Sequence, residues 1–178
     1  MLGAWRTGAA VAAGEAMSFD DYVRARSGGL LRLAWLITRN WEDARDAAQD
    51  AFAALYPRWS RLPTGTGLHA YVSRCVVNAA LAVVRRRRTL SVPDVTLLHE
   101  APVGADPAIG VVEADRMLRW CGELPPTQRA AVVLRFYRDL SFAEIGEVLG
   151  CREATARSHV HRAVRALRIQ AEEGGHER

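Results

Sequence analysis

Between Ser18 and Arg88 the apolar positions recur at a helical interval. Leu30, Leu33, Ala34 and Ile37 fall at i, i+3, i+4 and i+7, the spacing of one buried helix face. Trp41 to Pro57 (WEDARDAAQDAFAALYP) predicts a second helix, with strong helix formers, acids in the first turn where the helix dipole favours them, and a proline to end it. A Gly/Pro loop from Pro63 to Gly67 leads into a third long helix, His69 to about Arg86, which closes in Arg85, Arg86, Arg87 and Arg88. No stretch alternates apolar and polar residues long enough to argue for a sheet.

The texture breaks between Thr89 and Val112, where Pro93, Pro102, Gly104, Pro107 and Gly110 fall and arginine is absent. That composition reads as a linker. Its acids, Asp94, Glu100 and Asp106, are ordinary for a solvated segment. Helical periodicity resumes from Glu113 to Gln170, and a polar tail follows. The expected fold is all-α: a loose extension (1–17), a helical domain (18–88), a Pro/Gly-rich linker (89–112), a second small helical domain (113–170) and the tail (171–178). Met1 to Ala16 lacks the basic start and strong apolar stretch of a signal peptide, and Met17 is a candidate start residue.

The second domain carries the sharpest local pattern. Ser141 and Glu144 form a capping-box pair, Leu140 and Ile145 stand at the positions of a hydrophobic staple, and Gly150 is a natural stop. Ala156, Val160, Ala163, Val164 and Leu167 then form the apolar stripe of a longer helix. A short capped helix, a tight glycine turn and a longer helix make a helix-turn-helix. Upstream, Leu124-Pro125-Pro126 opens another helix whose apolar face is Ala130, Val133, Leu134 and Tyr137.

Charge adds to this picture through its placement. The 178 residues hold 24 basic and 20 acidic side chains, a modest excess of +4. All the basic residues are arginine and alanine occurs 30 times, a bias that GC-rich codons favour. Residues 151–168 nevertheless concentrate five arginines against the single acid Glu153. Thr155, Ser158, Arg162 and Arg165 fall opposite the apolar stripe and Arg157 on its flank, the arrangement of a helix that enters a DNA major groove. No apolar run approaches the roughly 18 residues that cross a bilayer, so membrane insertion is not expected. Three widely spaced cysteines do not suggest a disulfide framework, and a reducing, cytoplasmic setting is expected.

LPPTQRAAVVLRFYRDLSFAEIGEVLGCREATARSHVHRAVRALR, Leu124 to Arg168, resembles the fourth conserved region of bacterial sigma factors of the extracytoplasmic function (ECF) group, of the SigE-like kind. Within it, Arg152 stands where that family often has a Ser or Thr cap, and Ala156 is unusually small. DARDAAQDAFAALYPRW is similar to the family's second-region helix that docks on the β′ clamp coiled coil of RNA polymerase. The resemblance implies that Asp43, Asp46, Gln49, Asp50 and Phe52 bind polymerase, with carboxylates for a basic partner and an aromatic anchor. The stretch from His69 to Arg88 looks like the family segment that opens and reads the −10 element. Tyr71, Arg74, Asn78, Arg85, Arg86, Arg87 and Arg88 supply the stacking face, polar edges and cations that single-stranded bases need. By the same resemblance, Thr155, Arg157, Ser158, Arg162 and Arg165 read the −35 element, and the partners are core polymerase (β′ clamp and β flap), promoter DNA and an anti-sigma factor. No cofactor, metal or catalytic residue is implied.

Two other readings fit parts of the chain. Cys151, His159 and His161 have a C-x7-H-x-H spacing, but His161 points away from the stripe while Cys151 sits in the turn, which is poor convergence on one ion. A conventional dimeric helix-turn-helix regulator would bind palindromic duplex sites without polymerase. The acidic second helix and the Asn78–Arg88 segment argue against it. The chain has no G-x-S-x-G, P-loop or HExxH motif to support an enzyme.

Overall fold

The computed structural model describes residues 17–89 and 119–173. The linker with Asp94, Glu100 and Asp106, the N-terminal residues 1–16, the segment 113–118, the tail 174–178 and the side chain of Arg88 lie outside the described residues. Every element described is helical. Helix α1 (Phe19–Thr38) is capped by Ser18, whose hydroxyl accepts from the Asp21 N–H. It ends on Arg39, which takes the left-handed conformation at φ 60°. The Asn40 side chain then accepts from the Glu42 and Asp43 N–H groups and starts α2 (Trp41–Leu55). The chain tightens into a 3-10 helix (Tyr56–Arg61) through Pro57, tied back by the Trp59 indole N–H donating to the Met17 carbonyl at 2.9 Å. After Gly65, at φ +63°, α3 runs from Thr66 to Thr89, starting three residues before the sequence pattern suggested.

Helices α1, α2 and α3 form a bundle. Leu30, Leu33, Ala34 and Ile37 are fully buried, as their spacing predicts, and meet Ala44, Ala47 and Ala51 of α2 and Val72, Val76, Val77 and Ala80 of α3. The alanine face of α2 lets the three axes approach closely. By length and composition alone α3 is apolar enough to span a bilayer over Thr66–Arg87, which an inspection for unbroken apolar runs overlooks. Its apolar side chains are instead the centre of this bundle.

In the C-terminal half a helical turn at 119–123 precedes α4 (Pro126–Phe136), α5 (Phe142–Leu149) and α6 (Glu153–Glu173). Ala130, Val133 and Leu134 are buried as expected, whereas Tyr137 is 41% exposed because α4 stops at Phe136. The two halves pack against each other. Helix α4 lies on α1, and Ala130, Ala131, Val133, Leu134 and Ile145 join the same apolar cluster as the N-terminal bundle. Arg129, buried at 5% exposure, fixes this contact. It donates to the Ile37 carbonyl in the last turn of α1 at 2.9 Å and to the Gly122 and Leu124 carbonyls at 2.9 and 3.1 Å. A cation suits the negative end of a helix dipole and satisfies carbonyls that the helix leaves unpaired. The three cysteines are separate thiols, and burial pushes those of Cys75 and Cys121 up.

Candidate nucleic-acid interface

The helix-turn-helix forms as its local pattern demands. Ser141 accepts from the Glu144 N–H, and the Glu144 carboxylate accepts from the Ser141 N–H at 2.8 Å and from its hydroxyl at 2.6 Å, which holds that carboxyl below its usual range. Gly150 closes α5 at φ +68°. Gly146 allows the crossing, because a side chain there would put its Cβ 2.7 Å from the Cys151 carbonyl oxygen and 3.3 Å from the Glu153 nitrogen. Ala156, Val160 and Ala163 of α6 are buried on α4 and α5, so the small residue at 156 belongs to the packing face and leaves the reading face untouched.

That leaves Thr155, Arg162 and Arg165 exposed on the outer side of α6, with Ser158 half-buried beside them. Arg157 differs from these. Its guanidinium donates to Glu153 at 2.6 Å and lies 5.1 Å from the centre of the Phe142 ring, so it is held against the turn. His161 meets the same ring edge-on at 6.1 Å. Arg162→Ala should relax discrimination at one duplex position and cost about 1–3 kcal/mol on the preferred site. Arg157→Ala should weaken all duplex sites evenly and lower the salt slope by about one. Salt-dependent binding of promoter variants by the assembled complex separates the two outcomes.

On α3, Tyr71, Arg74, Asn78 and Arg85 stand at i, i+3, i+7 and i+14, one helix face. Arg74, Asn78, Arg85 and Arg86 are exposed, and Tyr71 is half-buried against the core. Arg87 lies on the other side, where its Nε sits 3.0 Å from the Asp43 carboxylate. Asp43 is 7% exposed and faces α3, set in from the open acidic face, and Arg87 meets it with its side chain still partly exposed. The outward acidic face of α2 is Asp46, Gln49 and Asp50. Phe52 sits half-buried at its edge, in edge-to-face contact with Phe19 at 6.1 Å.

Sequence reasoning missed a cluster between the halves. Arg138, just past α4, donates through Nη2 to His69 Nε2 at 2.7 Å and to Ser73 Oγ at 3.2 Å. Arginine only donates, so Nε2 must accept, and the proton of a neutral imidazole then sits on Nδ1 and is donated to Tyr22 Oη at 2.8 Å. Burial first, then the positive charges of Arg138 and Arg26, push the His69 pKa down from 6.5 to about 4, and burial lifts Tyr22 to about 12. Beside this cluster Arg74 lines a shallow groove whose other wall is the helix-turn-helix turn: Gly146, Glu147, Gly150, Cys151 and Arg152.

The His69 shift fixes a pH dependence. Between pH 6.5 and 4 the unfolded chain binds a proton at His69 and the folded chain does not, so stability rises with pH through that window and is lost as the solution is acidified. His69→Gln should flatten this slope while leaving behaviour above pH 7 unchanged in sign, as read by thermal melting at pH 7, 5.5 and 4.5.

Comparison with known proteins agrees with this geometry. Residues 22–89 match the family described as Sigma-70 region 2, and residues 116–167 match Sigma-70, region 4. The RNA polymerase sigma-E factor of Streptomyces coelicolor is 36% identical over 157 residues, 87% of this chain and 86% of the relative. The ECF RNA polymerase sigma factor SigM of Mycobacterium tuberculosis is 36% identical over 155 residues, 87% of this chain and 78% of that one. In fold, the chain is similar to the sigma factor RpoE from Bartonella quintana, solved with the anti-sigma factor NepR (TM-score 0.65, 20% identity, 90% of this chain and 98% of that one). It is similar also to CnrH, solved with the cytosolic domain of CnrY (TM-score 0.61, 20% identity, 87% and 88%). With both regions present in order and sigma-E and SigM relatives matched over most of their length, the chain belongs to the ECF RNA polymerase sigma factors.

Proposed function

We propose that this chain works as a sigma factor with a division of labour among three faces: Asp46, Gln49, Asp50 and Phe52 of α2 dock core RNA polymerase, the Tyr71, Arg74, Asn78 and Arg85 face of α3 engages the opened −10 strand, and Thr155, Ser158, Arg162 and Arg165 of α6 read the −35 duplex. Sigma factors of this family bind core polymerase and direct promoter recognition and transcription initiation. The observation that carries the assignment is that one chain holds a capped helix-turn-helix with an exposed arginine face and a helix whose outer side is acidic. A duplex-binding repressor needs the first and has no use for the second. Residues 18–88 and 113–170 are then the two functional units, joined by the linker at 89–112. Arg86, Arg88 and Arg157 add cations for phosphate. The chain contributes positioning and recognition with no catalytic residue of its own, and it acts in the cytoplasm, where polymerase and promoter are found.

Co-purification with core polymerase tests this reading. The wild-type chain should form a stoichiometric complex, and the free chain should bind promoter duplex weakly. Tight, footprinted duplex binding by the free protein, without complex formation, would favour the dimeric regulator.

A further inference from the structure

We propose that the Phe142 ring is the platform of a phosphate clamp: it gathers Arg135, Arg157 and His161 into one preset group that grips the DNA backbone beside the base-reading face of α6. That the polyanion is promoter duplex rests on the sigma-factor reading. That three side chains share one ring rests on the geometry alone.

Phe142 is the first residue of α5, and its ring meets side chains from both other helices of the C-terminal half. Arg135, in the last turn of α4, holds its guanidinium carbon 5.3 Å from the ring centre, and Arg157, near the start of α6, holds its own at 5.1 Å. His161, one turn further along α6, meets the ring edge-on at 6.1 Å. Both guanidinium distances lie within the range in which a cation is attracted to a π face. A second contact fixes each arginine: Arg135 donates to the Leu140 carbonyl at 2.8 Å, and Arg157 to the Glu153 carboxylate at 2.6 Å. Phe142 is itself half-buried against the apolar cluster, so the platform is anchored.

A ring can hold a cation in place without neutralising it. Here two guanidinium groups share one ring against one carboxylate partner, Glu153, while Glu144 is spent on its own cap. Among the described residues Arg135 has no ion pair. Arg157 and His161 are exposed and Arg135 is half-exposed, so the group faces solvent. Like charges gathered at an open surface favour the arrival of an anion, and planar guanidinium groups match the oxygens of a phosphate. Arg157 and His161 form one strip of α6, whereas Thr155 and Arg162 form another, roughly 100° or more around the axis. A duplex seated on the second strip brings its backbone to the first. Such contacts set register without reading sequence, and cations arranged in advance lose less side-chain freedom on binding.

The test uses the full chain, free and assembled with core polymerase, titrated onto fluorescent duplexes with and without promoter sequence between about 50 and 200 mM salt. Arg135→Gln should weaken binding to every duplex about tenfold and lower the salt slope by about one. Phe142→Leu removes no charge, yet it should weaken binding about fivefold on every duplex and leave the ranking of promoter variants unchanged. Phe142→Tyr keeps the ring and should restore wild-type affinity. In an Arg135→Gln/Arg157→Gln background, Phe142→Leu should have no further effect on binding, because the ring acts through those cations. A purely packing role would move the melting temperature without this pattern. Circular dichroism reports folding, and if Phe142→Leu loses helix, the salt slope of Arg135→Gln decides the matter. A folded Phe142→Leu chain with wild-type affinity, or an Arg135→Gln chain with the wild-type slope, would overturn the clamp. A wild-type chain that fails to assemble with core would overturn the sigma-factor reading instead, and the free-chain titrations would still decide the clamp.

Discussion

Replacing Asp46 and Asp50 together by arginine is expected to abolish assembly with core polymerase while leaving the fold intact. Both side chains are exposed on α2, one turn apart, and among the described residues neither forms an ion pair inside the bundle, so their replacement disturbs little internal packing. A partner that selects carboxylates presents cations, and juxtaposing like charges costs several kcal/mol, or at least about a hundredfold in affinity. Asp43→Ala is the informative contrast. Its carboxylate is buried against Arg87, so this change should lower the melting temperature and have a smaller direct effect on docking. Parallel thermal melts and core titrations distinguish the two. Wild-type docking by the doubly reversed chain would remove this face from the interface.

Gly146→Ala is expected to give the largest loss from a single methyl group. In an ordinary helix interior, alanine in place of glycine stabilises by about 1 kcal/mol. At Gly146 the added carbon would stand 2.7 Å from a backbone carbonyl oxygen of the turn, where no flexible side chain can give way. Overpacking typically costs about 1–3 kcal/mol, and here the cost must exceed the propensity gain because the displaced atoms carry the angle between α5 and α6. Recognition of the −35 duplex should fall with stability, since Arg162 and Arg165 would be re-aimed. Gly29→Ala on α1, where the methyl group would meet nothing within 4 Å, should be neutral or slightly stabilising. A Gly146→Ala chain that melts and transcribes like wild type would show that the turn relaxes freely.

The parts of this molecule that could be read from sequence are those whose causes are local. The Ser141–Glu144 box, the stop at Gly150 and the buried faces of α1 and α6 each depend on residues within a turn or two, and periodicity displays them directly. Contacts between distant segments are not displayed in this way. A helical wheel places Asp43 beside Asp46 and Asp50, and nothing on that wheel reveals that the end of α3 brings Arg87 to within 3.0 Å. The packing of α4 on α1 was equally hidden, because Arg129 bonds to the backbone carbonyl of Ile37, which has no sequence identity to detect. A charged residue directly before the buried Ala130 was the one available signal. His69 and Arg138 lie 69 positions apart, and their contact depends on the relative placement of the two halves.

Run-off transcription with purified core polymerase and this chain, on promoters drawn from its own genome, tests the central claim most directly. Discrete start sites should appear only when the chain is added. They should be lost with Asp46→Arg/Asp50→Arg, and their choice among upstream duplex variants should shift with Arg162→Ala. Transcripts that neither depend on the chain nor respond to either substitution would contradict the account.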